Sequence, residues 1–206
     1  MRDQALEEVP LVSLGEDRLG DEALTALKDW TRNFLMSDHR DLGRDGNVCP
    51  FTSMGARIDT LRFGVSEAGP GEYERVRAEL RRAFFQFEDI PHPAKMGAYR
   101  AILIAFPNCR SAEGVKTLAR AQKSLRLTSF IRARMIGVFY PDAPEPGLWN
   151  KDFRPLRAPL PLVAIRSLVA ADAAFVMRHP PLAFSYLYNF PLAGPRLLAE
   201  QAMRKS

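Results

Sequence analysis

The chain has 206 residues, 47% hydrophobic and 26% charged, with a formal net charge of +5. That is enough for one domain with its own core. The positive runs, at Arg75, Arg77, Arg81 and Arg82 and again from Arg120 to Arg134, alternate with acids or apolar residues, which argues for solvated helix faces and against a nucleic-acid stripe. No apolar run approaches the ~18 residues of a membrane span. The first residues lack a signal-peptide core, and two distant cysteines form no disulfide framework, so a cytoplasmic, reducing setting without membrane or nucleic-acid partners is expected.

Residues 1–20 read as a loosely attached lead-in, and residues 21–206 as one domain. Asp21 is placed to cap a helix carried by Leu24, Leu27, Trp30, Phe34 and Leu35 at helical spacing. Ser37 to Pro50 interrupts it with glycines, charge and a proline. Leu61, Phe63 and Val65 alternate through Thr60 to Ser66 as a strand, and Gly69-Pro70-Gly71 marks a turn. Glu72 to Phe87 is amphipathic, and Ala98 to Pro107 (AYRAILIAFP) is a strand so continuously apolar that burial on both faces is expected. Ser111 opens a long helix to Ile131, and MIGVFY, from Met135 to Tyr140, is a third strand.

Pro141 to Pro161 carries six prolines and no period, the kind of long irregular loop that is usually functional. Leu162 to Val169 is the fourth strand, followed by helices broken at Pro180-Pro181 and near Pro191 to Pro195. The expected fold is α+β: a single domain with a sheet of about four strands, packed helices and a long proline-rich loop before the last strand.

Two stretches carry candidate chemistry. In HRDLGRDGNVCPF, Pro50 fixes the backbone after Cys49, Gly43 and Gly46 allow close backbone approach, and His39, Arg40 and Arg44 offer the positive charge that favours a thiolate. Cys49 is open to three readings at this point: a buried structural sulfur, a nucleophile paired with His39 or His92, or a metal-ligand thiolate. Zinc is poorly supported, because there is no Cys-x-x-Cys and the three histidines are scattered. A nucleotide loop and a Cys-x-x-Cys-His heme attachment are absent too. A single thiolate is nevertheless sufficient for heme iron. The second stretch is LWNKDFRPLRAPLPLVAIR, where Arg154 and Arg157 sit in a rigid segment beside Trp149, Asn150, Asp152 and Phe153. Guanidinium forks suit carboxylates and phosphates. Cys109 has no comparable setting.

GRDGNVCPF, the strand AILIAFP and the segment GVFYPDAPEPGLWNKDFRPLRAPLPLVAIR resemble a bacterial family often found near natural-product gene clusters. Its members share a Leu-Gly-Arg-x-Gly-x-Val-Cys-Pro-Phe loop and an Asn-x-Asp-Phe-Arg-Pro-x-Arg-x-Pro-x-Pro segment. The resemblance runs from Trp30 to Arg166. Through order and short motifs the chain is also distantly similar to heme-dependent N-oxygenases, such as the arginine N-hydroxylase of cycloserine biosynthesis and the guanidine hydroxylase of guanitoxin biosynthesis.

This resemblance implies a heme-thiolate oxidoreductase of monooxygenase type, acting on a small amine, guanidine or amino-acid-like substrate and served by a redox partner. Cys49 would be the proximal ligand of a non-covalent heme b, in a loop shaped by Pro50 and Gly46. Arg154 and Arg157, with Arg44 as a further candidate, would hold the propionates, while Tyr140, Trp149 and Asn150 would line the substrate side. Tyr140 departs from the pattern, in which histidine usually precedes Pro-Asp. A cofactor-free cysteine enzyme and a non-catalytic binding module are the alternatives.

Overall fold

The computed structural model describes residues 8–18, 20–176 and 180–203. Asp21 caps the first helix, its carboxylate accepting the Leu24 amide at 2.9 Å. The helix, α1 (Glu22–Trp30), ends in a single π turn, Thr31–Leu35, so the expected helix is present with one wider turn at its end. After the loop, a short helix that the sequence reading had not resolved, α2 (Thr52–Arg57), leads to β1 (Leu61–Val65). Then follow α3 (Tyr73–Glu88), β2 (Ala101–Ala105), α4 (Ala112–Ile131), β3 (Arg134–Phe139) and, after the proline-rich loop, β4 (Leu162–Ser167). Helices α5 (Ala173–Val176), α6 (Pro180–Asn189) and α7 (Gly194–Met203) follow; the expected break near Pro191 to Pro195 is present between α6 and α7, and the one expected at Pro180-Pro181 adjoins residues outside the described ones.

The architecture is α+β, with a four-stranded sheet in the order β1-β2-β4-β3. β1 and β2 are parallel, and β4 enters antiparallel between β2 and β3. The strand expected from Ala98 is shorter than its apolar run, because Gly97–Tyr99 is a 3₁₀ turn. Within β2, Ile102, Leu103, Ile104 and Ala105 are all buried, as a central strand covered on both faces requires.

One face of the sheet (Ile102, Ile104, Ile136, Val163, Ile165) packs on Val76, Leu80, Ala83, Phe84 and Phe87 of α3 and Leu118, Ala121 and Leu125 of α4. On the other face Leu61, Phe63, Leu103, Ala105 and Leu162 pack with Leu24, Leu27 and Leu35 of the α1 region and with Ala158 and Leu160 from the proline-rich loop. A third cluster gathers Phe130, Leu168, Ala173, Val176 and Tyr186 under the C-terminal helices.

Part of the expected lead-in is built into the domain. Val9 and Val12 are buried, and Val12 exchanges two backbone hydrogen bonds with Phe63, at 2.8 and 2.9 Å. Lys28, 1% exposed, donates from α1 to the Glu16 carbonyl. Residues 1–7 and 19 lie outside the described residues, as does His179.

Candidate functional site

The Cys49 loop hangs from the π turn. The Cys49 amide donates to the Leu35 carbonyl at 2.9 Å and the Val48 amide to the Ser37 carbonyl at 3.0 Å, so the far end of the loop is tied back to its start at the π turn. Arg44 turns back on its own loop, donating to the carbonyls of Asp45, Asn47 and Val48 at 2.8, 2.7 and 3.2 Å. Its guanidinium therefore closes the loop immediately before Cys49. Gly43 and Gly46 take positive φ of 79° and 85°, a conformation with little cost only for glycine. Cys49 itself is half-buried against the α1-side core, and Pro50 is exposed.

A second charged group, Arg166, lies within electrostatic reach of this sulfur. It sits in β4 on the α1 side of the sheet, between Ala101 of β2 and Met135 of β3. Its side chain is 28% exposed, and it grips Asp172, only 4% exposed, through two bonds of 2.8 and 2.6 Å. Burial opposes the guanidinium charge. The hydrogen bonds and charge of Asp172 outweigh that opposition, Cys49 adds to them, and the pKa of Arg166 lies above its ordinary value. Cys49 and Arg166 are therefore within electrostatic reach although 117 positions separate them in sequence. Around them the sheet presents small or flat side chains, Ala101, Ala164, Gly137 and Phe139, all half-buried. This part of the face is half-open, whereas the neighbouring Leu103 and Leu162 are sealed.

The proline-rich loop crosses to the Cys49 loop at two points. The Asn150 amide donates to the Asp41 carbonyl at 2.8 Å, while its Oδ1 accepts the Asp152 amide at 2.9 Å. Gly43 meets the backbone of Trp149, where an added Cβ would lie 3.0 Å away. The Trp149 side chain is 55% exposed. Between the two loops lies a cleft of about 450 Å³ whose lining includes His39, Asp41, Asp152, Phe153, Arg154 and Arg157, with Phe34 and Asn150 at its sides. Arg154 donates to the carbonyls of Lys151 and Phe153, and Arg157 Nε donates to Ala143 at 3.4 Å. Aromatic rings run continuously from this cleft to the sheet: His39 to Phe153 at 4.9 Å, Phe153 to Phe34 at 6.1 Å, Phe34 to Trp30 at 5.8 Å, and Trp30 to Phe139 at 5.7 Å.

The expected site residues thus fall into two places. Arg154, Arg157 and Asn150 share the cleft with His39. Cys49, Pro50, Arg44, Tyr140 and Trp149 do not line it. Tyr140 anchors the start of the proline-rich loop, its amide donating to Leu156 and its carbonyl accepting from Ala143. Burial, then Glu145 and Asp142, raises its phenol pKa, so the hydroxyl keeps its proton.

Neither His39, whose Nδ1 accepts from the Asp41 amide, nor His92, which contacts the Ile90 carbonyl, is hydrogen-bonded to Cys49. Cys109 is fully buried with its thiol toward the Ala68 carbonyl, a core cysteine. The residue missed from sequence is Arg166. Its signal was available, because one charge inside the otherwise apolar run LVAIRS demands a buried partner.

Among the described residues no group of three or more His, Cys, Asp or Glu side chains is placed to hold a metal ion. A metal bound by Cys49 would have to bring its remaining ligands with it, as a heme does. The half-buried face near Cys49 is floored by Ala101, Ala164, Gly137 and Phe139, with Trp30 packed edge-on against Phe139. No described helix is long and apolar enough to cross a membrane.

A family model described as a domain of unknown function (DUF6875) matches residues 24–201, from within α1 to within α7. No curated protein and no solved structure matches the chain.

Proposed function

The chain belongs to the DUF6875 family, and we propose, from the resemblance of its Cys-Pro-Phe loop and arginine segment, that it is a heme-thiolate oxidoreductase of monooxygenase type, acting in the cytoplasm on a small amine, guanidine or amino-acid-like substrate. One observation supports the reading: Cys49 is half-buried, its amide is held by the Leu35 carbonyl, and it packs on the α1-side cluster that includes Ala101 and Ala164, within electrostatic reach of Arg166. A heme bound there would supply one-electron and dioxygen chemistry, and a thiolate ligand favours O–O cleavage.

The protein's share is positional. The bonds from Leu35 and Ser37 to the loop fix the sulfur, and Arg44 holds the three carbonyls before it. Asp172 keeps Arg166 charged and oriented; with Nη1 and Nη2 already bonded to Asp172 and the Ser167 carbonyl, Arg166 would meet a propionate only through its remaining N–H groups. Arg154 and Arg157 are assigned instead to the cleft they line. The Tyr140 phenol, protonated across the physiological range, is a proton donor at the head of the proline-rich loop. A redox partner is required to deliver electrons.

The test is spectroscopic. Protein from cells fed a heme precursor is expected to show a Soret band, shifted by carbon monoxide after reduction to the position of a thiolate-ligated heme. Cys49→Ala is expected to lose that shifted band, and Arg166→Met to lower heme occupancy. A protein that stays colourless after heme supplementation overturns the reading, and a Cys49→Ala spectrum identical to wild type removes Cys49 as the ligand.

A further inference from the structure

We propose that the cleft between the His39–Leu42 turn and the Asn150–Arg157 stretch is a binding site for a small zwitterion, a molecule with a carboxylate and an ammonium group on an apolar body. The site is physically separate from Cys49, which does not line it, and needs no cofactor. Its volume of about 450 Å³ suits a small molecule.

The decisive feature is the way charge is left unspent. Arg154 and Arg157 share the cleft with Asp41 and Asp152, yet among the described residues no ion pair joins either arginine to either carboxylate. Arg157 uses only Nε, toward Ala143, so its two terminal amino groups have no protein acceptor among the described residues. Arg154 uses Nη1 on backbone carbonyls and keeps its other nitrogens. The Asp152 side chain accepts no hydrogen bond among the described residues, and Asp41 reaches only His39 and the exposed Arg40, at 3.8 and 3.7 Å.

Asp41, Asp152 and Arg157 are exposed and, apart from the loose Asp41–Arg40 pair, are left to solvent, so a carboxylate receptor and an ammonium receptor are both open to a ligand in one cleft. The formal charges of the two arginines and two aspartates cancel, which disfavours a phosphate or other multiply charged anion, since each carboxylate would repel it. A carboxylate matches the guanidinium fork. The stacked rings of Phe34 and Phe153 supply the apolar wall. The cleft is also preorganised: the Asn150 side chain donates across to the Asp41 carbonyl and accepts the Asp152 amide of its own loop, and His39 is fixed by the Asp41 amide and packed on Phe153.

Isothermal calorimetry on the full chain tests this with L-phenylalanine and γ-aminobutyrate as zwitterions, and 3-phenylpropionate, phenethylamine, butyrate and butylamine as their single-charge counterparts. At least one zwitterion is expected to bind saturably at millimolar concentration, and removal of either charge is expected to weaken it by about tenfold or more. Arg157→Gln should erase the preference for the carboxylate, and Asp152→Asn the preference for the ammonium group, with near-ultraviolet circular dichroism confirming that each variant is folded. Absence of saturable binding by both zwitterions overturns the proposal. So does a carboxylate-only probe binding wild type as tightly as its zwitterion, which would make the cleft a plain anion site, and so do folded variants that leave both preferences intact.

Discussion

Asp172→Ala removes a carboxylate that is 4% exposed and takes three hydrogen bonds: two from Arg166, at 2.8 and 2.6 Å, and one from the Val169 amide at 2.9 Å. Hydrogen bonds to charged groups contribute about 1.5–3 kcal/mol each but do not add within one network. Cutting one partner from a buried pair costs about 3–5 kcal/mol. Arg166 keeps 28% of its side chain in solvent and can recover part of its hydration, so the lower end, about 3 kcal/mol, is expected. For a chain of this size that lowers Tm by about 6–12 °C. Urea titration followed by circular dichroism measures the free energy directly.

Asp172→Asn, which can still accept from Val169, should lose less. The double variant Arg166→Met, Asp172→Leu should be more stable than Asp172→Ala alone, because no orphaned charge is left behind. A loss below about 1 kcal/mol for Asp172→Ala, or a double variant as unstable as the sum of its singles, would refute the reasoning that Arg166 depends on this carboxylate.

Three further outcomes are expected. Burial, then Glu72 and Glu79, raises the Cys109 thiol pKa, so the folded state holds that proton more tightly than the unfolded chain. The resulting stability is complete below the unfolded thiol pKa of about 8.5 and falls as pH rises beyond it, by up to about 1.4 kcal/mol per unit; urea melts near neutrality and at about pH 10 should show the gap between wild type and Cys109→Ala narrowing at the higher pH. Gly43→Ala meets both a φ of +79° and the Trp149 backbone at 3.0 Å, whereas Gly46→Ala meets a φ of +85° but only the end of Arg44 at 3.7 Å; Gly43→Ala should cost about 2–3 kcal/mol and Gly46→Ala about 1–2 kcal/mol in thermal melts. Ser111 caps α4 by accepting the Gly114 amide at 3.1 Å, so Ser111→Ala should lose about 1 kcal/mol and Ser111→Asp should retain most of it.

Local periodicity made the elements legible. Val76, Leu80, Ala83, Phe84 and Phe87 declared α3, and the apolar run Ala101–Ala105 declared a central strand. The order of strands was not legible, since nothing near Leu162–Ser167 says that this strand slots between β2 and β3. The same limit shaped the reading of the site. The link of Arg154 and Arg157 to Cys49 came from the resemblance, which implies a shared heme; the Asn150 and Trp149 contacts, which no motif spells out, bring their segment against His39 and Asp41. Arg166 is brought to Cys49 by sheet register, a non-local property that composition does not encode. The lead-in looked detached because Val9 and Val12 are too few to show a period, although their burial against the sheet makes them part of it.

The two crossing points between the loops have a dynamic consequence. Asn150 holds Asp41 and Gly43 admits Trp149, so the first part of the Cys49 loop and the proline-rich loop steady each other, while Val48 and Cys49 are held separately by Ser37 and Leu35. Opening at the crossing should release amides from Asp41 to Gly43 and from Trp149 to Arg157 together, and leave the Val48 and Cys49 amides protected from exchange with solvent deuterium. Ligand taken up in the cleft would then slow exchange on both sides of the crossing without any change of shape.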